Sequence, residues 1–339
     1  MPTRRALLSA AVAAPALIRW GGRAAAGRDL KISHQFPGGS DEEGDFRDRL
    51  CRKFAAALRR RSEGALTGTV YPNSSLMKTN SQFAALRKGA LDLSLFPLAY
   101  AGGQIPELNI GLMPCVVGSY AQGAAWKTAP VGHKLTGLLA EKGIVIVSWV
   151  WQANGVVSRA NPIVVPEDVK GLKTRGGSRE MDVLLLAAGA ATLPLPSNEI
   201  YAAMQTGAVD AVVTSSTSMI SFRLEETGKH LTTARDRTFL FTFEPLLMSK
   251  AIFDSLAPGE RDLIMAAGAE LEPFGTAGSK ADDDRVVEVF RKAGGQARDI
   301  DAGSFEKWQA LARNSTWKDY AGKSSEAAEL MKLSQDIPV

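Results

Sequence analysis

The sequence predicts an α/β protein of two lobes, each a sheet flanked by helices. Three observations carry that expectation. Strand-period and helix-period segments alternate twice, over residues 30–95 and again over 172–213, which is the pattern of parallel strands with helices packed on their faces. The nearly continuous apolar run Gly143 to Trp151 has the composition of a strand buried on both sides. The chain, at 339 residues, is also longer than one ordinary core supports.

The elements follow in order. Leu30 to Ser33 reads as a strand, with His34-Gln35-Phe36-Pro37-Gly38-Gly39 as its loop. Ser40 with Glu43 three residues on has the form of a capping box that starts a helix. Phe46, Leu50, Phe54 and Leu58 give that helix one apolar stripe, and Arg59, Arg60 and Arg61 end it where cations suit the dipole. Thr67 to Tyr71 is the next strand, and Pro72-Asn73-Ser74-Ser75 a turn by composition. A helix over 81–88 stops at Gly89, and Leu91 to Leu95 alternates as a strand does.

Beyond the apolar run the pattern repeats. Leu172 to Arg175 is a strand, Arg179 to Ala188 a helix and Ala191 to Leu195 a strand. Asn198 to Gln205 is a helix ended by Gly207, and Ala208 to Val213 a strand. Phe239 to Ser249 is a β-like run that carries the chain back to the first lobe, and Leu256 onward reads as helices. The expected division is an export signal at 1–26, a first lobe from 27–150 plus about 240–280, and a second from 151–239 plus about 281–339.

The N-terminus has the parts of a cleavable signal: Arg4 and Arg5, an apolar stretch from Ala6 to Ile18, and the small residues Ala24, Ala25 and Ala26. Thr3-Arg4-Arg5 with Leu7 and Leu8 also fits a twin-arginine signal, so the export route stays open. Cleavage removes Arg4, Arg5, Arg19 and Arg23 from the 40 basic residues and leaves them equal to the 36 acidic ones. A mature chain near neutrality gives no electrostatic reason to bind nucleic acid or a membrane surface. Cys51 and Cys115 read either as a disulfide permitted by an oxidising compartment or as two buried thiols.

Signatures of catalysis are scarce. There is no Gly-x-Ser-x-Gly elbow, no phosphate-binding Gly-x-x-x-x-Gly-Lys loop and no His-Glu-x-x-His. His34, His133 and His230 are far apart, so no metal and no cofactor is expected. Arg175 stands out instead. It ends a short strand and precedes Gly176-Gly177-Ser178. Ligands of open α/β sheets bind beyond the carboxyl ends of strands, and an arginine there offers a planar fork to a carboxylate.

These segments together resemble the DctP-type solute-binding proteins of TRAP transporters over nearly the whole mature chain. His34-Gln35-Phe36-Pro37, Val70-Tyr71-Pro72-Asn73 with Leu76, and Arg87-x-Gly89-Ala90-Leu91-Asp92 match family segments in order. Leu112-Met113-Pro114, Glu199-x-Tyr201-x-Ala203-x-Gln205-x-Gly207-x-x-Asp210 and, most closely, Pro166-Glu167-Asp168-Val169-Lys170-Gly171-Leu172-Lys173-x-Arg175 match as well. The resemblance implies a type II periplasmic binding protein-like fold with hinge strands and C-terminal helices, closing on its ligand. It implies a periplasmic receptor for a small organic acid, no enzymatic step, and the transporter's membrane subunits as partners. The lysine-x-arginine match makes Arg175 the residue that holds the ligand carboxylate.

Two positions depart from the family. A second family arginine falls on Val157, with Arg159 two residues on, and a family asparagine is replaced by the hydroxyls of Thr214 and Ser215. The other expected cleft residues are Gln35, Phe96, Trp151, Asn154 and Glu199, all at strand ends or in the loops that follow. One arginine with aromatic walls points to a monocarboxylate over a dicarboxylate. A secreted α/β enzyme using the same cleft, or a ligand-sensing subunit of a signalling receptor, are the alternatives.

Overall fold

Among residues 27–337, which the computed structural model describes, twelve strands build two sheets. The expected signal at 1–26 lies outside the described residues. In chain order the strands are β1 (Arg28–Ser33), β2 (Leu66–Tyr71), β3 (Leu93–Leu95), β4 (Ile144–Ser148), β5 (Trp151–Ser158) and β6 (Lys173–Arg175). They continue as β7 (Ala191–Thr192), β8 (Ala211–Ser215), β9 (His230–Thr232), β10 (Phe241–Phe243), β11 (Leu246–Ser249) and β12 (Gln296–Arg298). The first sheet runs β2-β1-β3-β11-β4; the second runs β12-β9-β5-β8-β6-β7, with β10 paired to β5.

Both expected βαβαβ units are present. β1 is parallel to β2 and β3, and β6 is parallel to β7 and β8. The stripe read from the sequence is the first core: Phe46, Leu50, Phe54 and Leu58 pack on Leu30 and Ile32 of β1 and on Leu93 and Leu95 of β3. The second lobe's core gathers Met181, Leu184 and Leu185 of one helix against Val156, Ala211 and Val213.

The two apolar runs turn out to be crossings. Gly143 to Trp151 is not one strand: β4 belongs to the first sheet, β5 to the second, and Trp149 and Val150 carry the chain between them. Phe239 to Ser249 divides likewise into β10 and β11, with Glu244 and Pro245 between. The return therefore falls after β10, a few residues beyond the expected boundary near 240. Continuous hydrophobicity hid the strand break in the first run, because a chain leaving one buried sheet for another stays buried. Local corrections are smaller. Ser40 Oγ accepts from the Glu43 amide in a bend (3.0 Å), and the helix Phe46–Arg61 starts later, capped by Asp45. The strand read as Ala191 to Leu195 is only Ala191–Thr192. Cys51 and Cys115 are free and buried.

The C-terminal third does not divide as expected either. The helix Glu272–Lys292 has 21 residues, hence about 30 Å of length, and serves both lobes. Its Gly275 and Gly278 lie against Leu50 and Phe46 of the first lobe, while Val286, Val287 and Phe290 fill a core with Val157 and Val212 of the second. Between these, Asp283 accepts from Tyr120 Oη and Ser216 Oγ, each at 2.6 Å. Trp308 and Ala312 then pack in the second lobe. Ala327, Leu330 and Met331 return to the first, beside Leu135 and Leu139.

Two glycines test the helix packing in opposite directions. Gly137 lies in the helix Pro130–Glu141 with open space where a Cβ would sit. Gly137→Ala should therefore gain roughly 0.5–1 kcal/mol of stability. At Gly268 a Cβ would stand 2.1 Å from the Val147 carbonyl oxygen of β4, so Gly268→Ala should lose about 1–3 kcal/mol. Urea midpoints that moved the same way for both would overturn this packing of the helix Pro258–Glu270 on β4.

Candidate functional site

A small, polar-lined void lies between the lobes. Its centre is Arg175, which β6 places at the carboxyl end of the second sheet, opposite Val212 of β8. Arg175 is 3% exposed. Nε donates to the Leu195 carbonyl and Nη1 to the Val213 carbonyl, both at 2.9 Å, and Nη2 donates to Tyr100 Oη at 2.8 Å. Three of its five N–H groups are thereby used, and one remains on each terminal nitrogen. Among the described residues no carboxylate oxygen lies within 4.0 Å of it. Gly177 is required here: its φ is +89°, and a Cβ would stand 2.7 Å from Arg175 Nη1.

Tyr100 comes from the turn Leu98–Ala101 that follows β3. Its hydroxyl accepts both from Arg175 and from the Ser197 amide at 3.0 Å. Phe96, buried behind it, meets its ring edge-on at 5.9 Å between centroids. First-lobe chain is thus bonded directly to Arg175 of the second lobe.

The far side of the void is built on a second arginine. Arg47 is buried at the N-terminus of the helix Phe46–Arg61. Its Nε and Nη2 donate to the two oxygens of Asp45 at 2.9 and 2.7 Å. Its Nη1 reaches Ser218 Oγ at 3.0 Å and Glu244 Oε2 at 3.4 Å, and the guanidinium covers the Phe36 ring. Gln152 Nε2 donates to the same Glu244 oxygen. Burial pushes the Glu244 carboxyl up to about 7, against the pull of Arg47.

Of the residues expected from sequence, Arg175, Asn154, Thr214 and Ser215 line this void. Asn154 Nδ2 donates to Thr242 Oγ1 at 2.7 Å, and Ser215 caps the short helix Ser216–Ser221. The other four lie elsewhere. Trp151 is packed among Trp126 and Phe243 in the core. Phe96 supports Tyr100, Glu199 is exposed, and Gln35 is buried outside the void. Arg159 is exposed at the end of β5.

Sequence reasoning did not single out Arg47, Tyr100, Gln152, Ser218, Thr242 or Glu244. Two of them carried a signal. Arg47 is a cation in the first turn of a helix, against the dipole, and Glu244 is the one acid in the run Phe239 to Ser249.

Two α/β lobes joined by crossing strands around a buried arginine that touches no acid define the architecture of a solute-binding protein. Comparison with known proteins gives the same class. Residues 43–323 match the family model DctP, bacterial extracellular solute-binding protein, family 7. A solute-binding protein of Albidiferax ferrireducens is 60% identical over 306 residues, 90% of each chain. The crystal structure of a TRAP periplasmic solute-binding protein from Rhodoferax ferrireducens with bound malonate superposes with a TM-score of 0.89 at 60% identity, covering 90% of this chain and 97% of that one. The C4-dicarboxylate-binding periplasmic protein DctP of Rhodobacter capsulatus is 25% identical over 244 residues, 71% of this chain and 72% of that one. The chain belongs to the DctP family, the solute-binding proteins of TRAP transporters, as the sequence resemblance implied. Among the described residues no helix is long and apolar enough to cross a membrane.

Tyr100→Phe should remove the acceptor shared by Arg175 and Ser197 and weaken ligand binding about tenfold, from one to two hydrogen bonds at roughly 1 kcal/mol each. Calorimetry measures it, and unchanged affinity would remove Tyr100 from the closed site. Stability should also depend on pH. Burial raises Asp182 to about 6 and Asp283 and Glu244 to about 7. Each then holds a proton in the folded state that the unfolded chain has released. That stabilisation is complete below the ordinary carboxylate range and is lost as pH rises through about 6–7. The ligand-free protein should therefore melt higher at pH 5.5 than at pH 8. The reverse order in calorimetric scans would contradict the burial of these acids.

Proposed function

We propose that this protein captures a short dicarboxylic acid of malonate's size and delivers it, unaltered, to the membrane subunits of a TRAP transporter. The observation that carries the proposal is Arg175: a cation kept dry, held by neutral carbonyls and a hydroxyl, with one free N–H on each arm of its fork. A buried charge with no acid in contact is costly, and a ligand carboxylate supplies that contact. The size of the acid follows from the modest void and from the malonate bound by the relative at 60% identity. The sequence expectation of a monocarboxylate rested on a single arginine; Arg47 supplies a second polar pole. Tyr100, Asn154, Thr214 and Ser215 complete the grip on the ligand. Export through the Arg4-Arg5 signal, by the twin-arginine route, belongs to the same reading.

Calorimetry with malonate tests it. Arg175→Ala should cost about 2–5 kcal/mol, roughly thirty- to several-thousand-fold in affinity. Arg175→Lys keeps the charge without the fork and should also bind clearly worse. Arg159→Ala should bind as wild type does. Wild-type affinity in Arg175→Ala would overturn the assignment.

A further inference from the structure

A short dicarboxylate brings two negative charges, and Arg175 accounts for one. The place left for the other is the Arg47 side of the void, and the charges there do not favour it. Asp45 holds Arg47 through two parallel hydrogen bonds at 2.9 and 2.7 Å, which spends that guanidinium's charge. Glu244 is a second acid on the same arginine, 2% exposed and lining the void. With Glu244 ionised, this pole is one guanidinium against two carboxylates, and an arriving carboxylate would be repelled in a dry site. The neighbours do not reverse the balance. Gln152 of β5 and Ser218 of the helix Ser216–Ser221 are neutral. Asp282 of the long helix adds a carboxyl near Arg47 and Asp45, but Arg285 stands 3.8 Å from it and offsets it, and Arg175 is committed to the other end of the ligand.

We propose that Glu244 is the residue that selects the ligand's second acidic group, admitting short dicarboxylates by binding each together with one proton. This rests on the dicarboxylate reading of the site. Glu244 uses only Oε2, toward Arg47 and Gln152, and among the described residues Oε1 makes no hydrogen bond. A proton on Oε1 turns this pole from an acceptor into a donor. The carboxyl O–H then donates to the ligand carboxylate, and the pole becomes neutral. The proton comes from solvent and returns to it on release, and no covalent bond of the ligand changes. Burial that raises Glu244 to about 7 leaves the proton easily taken up under ordinary conditions. A monocarboxylate places no charge at this pole and needs no proton.

Calorimetry of malonate at pH 8, in two buffers of different ionisation enthalpy, counts the protons. At that pH malonate itself is fully ionised. Wild type should take up about one proton per malonate, and its affinity should fall about tenfold per pH unit above pH 7. Glu244→Gln keeps the donor without the titration. It should take up none, show flat affinity from pH 6.5 to 8.5, and bind malonate about tenfold tighter than wild type at pH 8. Acetate, as a monocarboxylate probe, should bind without proton uptake in both. Malonate binding to wild type with no proton uptake at pH 8, or uptake that persists in Glu244→Gln, overturns the inference and leaves the dicarboxylate reading standing. Absence of malonate binding at any pH, with acetate bound, overturns the dicarboxylate reading itself. The wild-type proton count decides the matter even if the variant fails to fold.

Discussion

Everything in the cleft depends on a guanidinium that is buried and touches no acid. Arg175 is held by the carbonyls of Leu195 and Val213 and by the Tyr100 hydroxyl. Carbonyl dipoles fix the orientation of the fork without cancelling its charge. An acid in their place would have made a satisfied structural ion pair, as Asp45 does for Arg47, and would have left nothing to attract a ligand. The local sequence follows from this requirement. β6 is only three residues long and ends on the arginine, and Gly177 keeps a Cβ out of the guanidinium plane's neighbourhood. The β8 backbone lies close enough to lend an oxygen.

The two poles of the cleft sit on different parts of the machine. Arg175 belongs to the second lobe. Gln152 and Glu244 stand at the two places where the chain passes between sheets, just inside β5 and just after β10. Arg47 begins the helix that packs on the long helix common to both lobes. A ligand that bridges the poles therefore ties the second lobe to the hinge itself, and closure becomes part of binding. Tyr100 adds the tie between the mouth of the first lobe and the same arginine.

The β-α alternation was legible because each strand and helix had its own periodicity and its own breaker. Arg175 was legible because a strand end, two glycines and a charge coincide. What escaped was anything that depends on the third dimension. The run at 143–151 is almost wholly hydrophobic, so the break between two strands at Trp149-Val150 left no trace in composition, whereas Glu244 and Pro245 interrupt the run at 239–249 where the chain changes sheet. The cleft walls failed for a related reason. Trp151 and Phe96 stand at strand ends, where ligand contacts are expected, and they support other residues instead. Arg47 and Glu244 looked like ordinary charges in a helix and a strand. Their oddity lay only in position, a cation at a helix start and an acid in an apolar run, and only burial gives that oddity a meaning.

The return of Ala327, Leu330 and Met331 to the first lobe has a consequence for how the chain acquires its structure. β1 is made at the start, β11 some two hundred residues later, and the last helix closes the same lobe near the end of the sequence. Neither lobe is a continuous stretch, and no single cut yields an intact one. Contacts this distant in sequence slow folding, and domain-by-domain folding from the N-terminus cannot proceed here. The two lobes are interwoven in sequence, and a chain shortened by its last helix would lack part of the lobe that it began with.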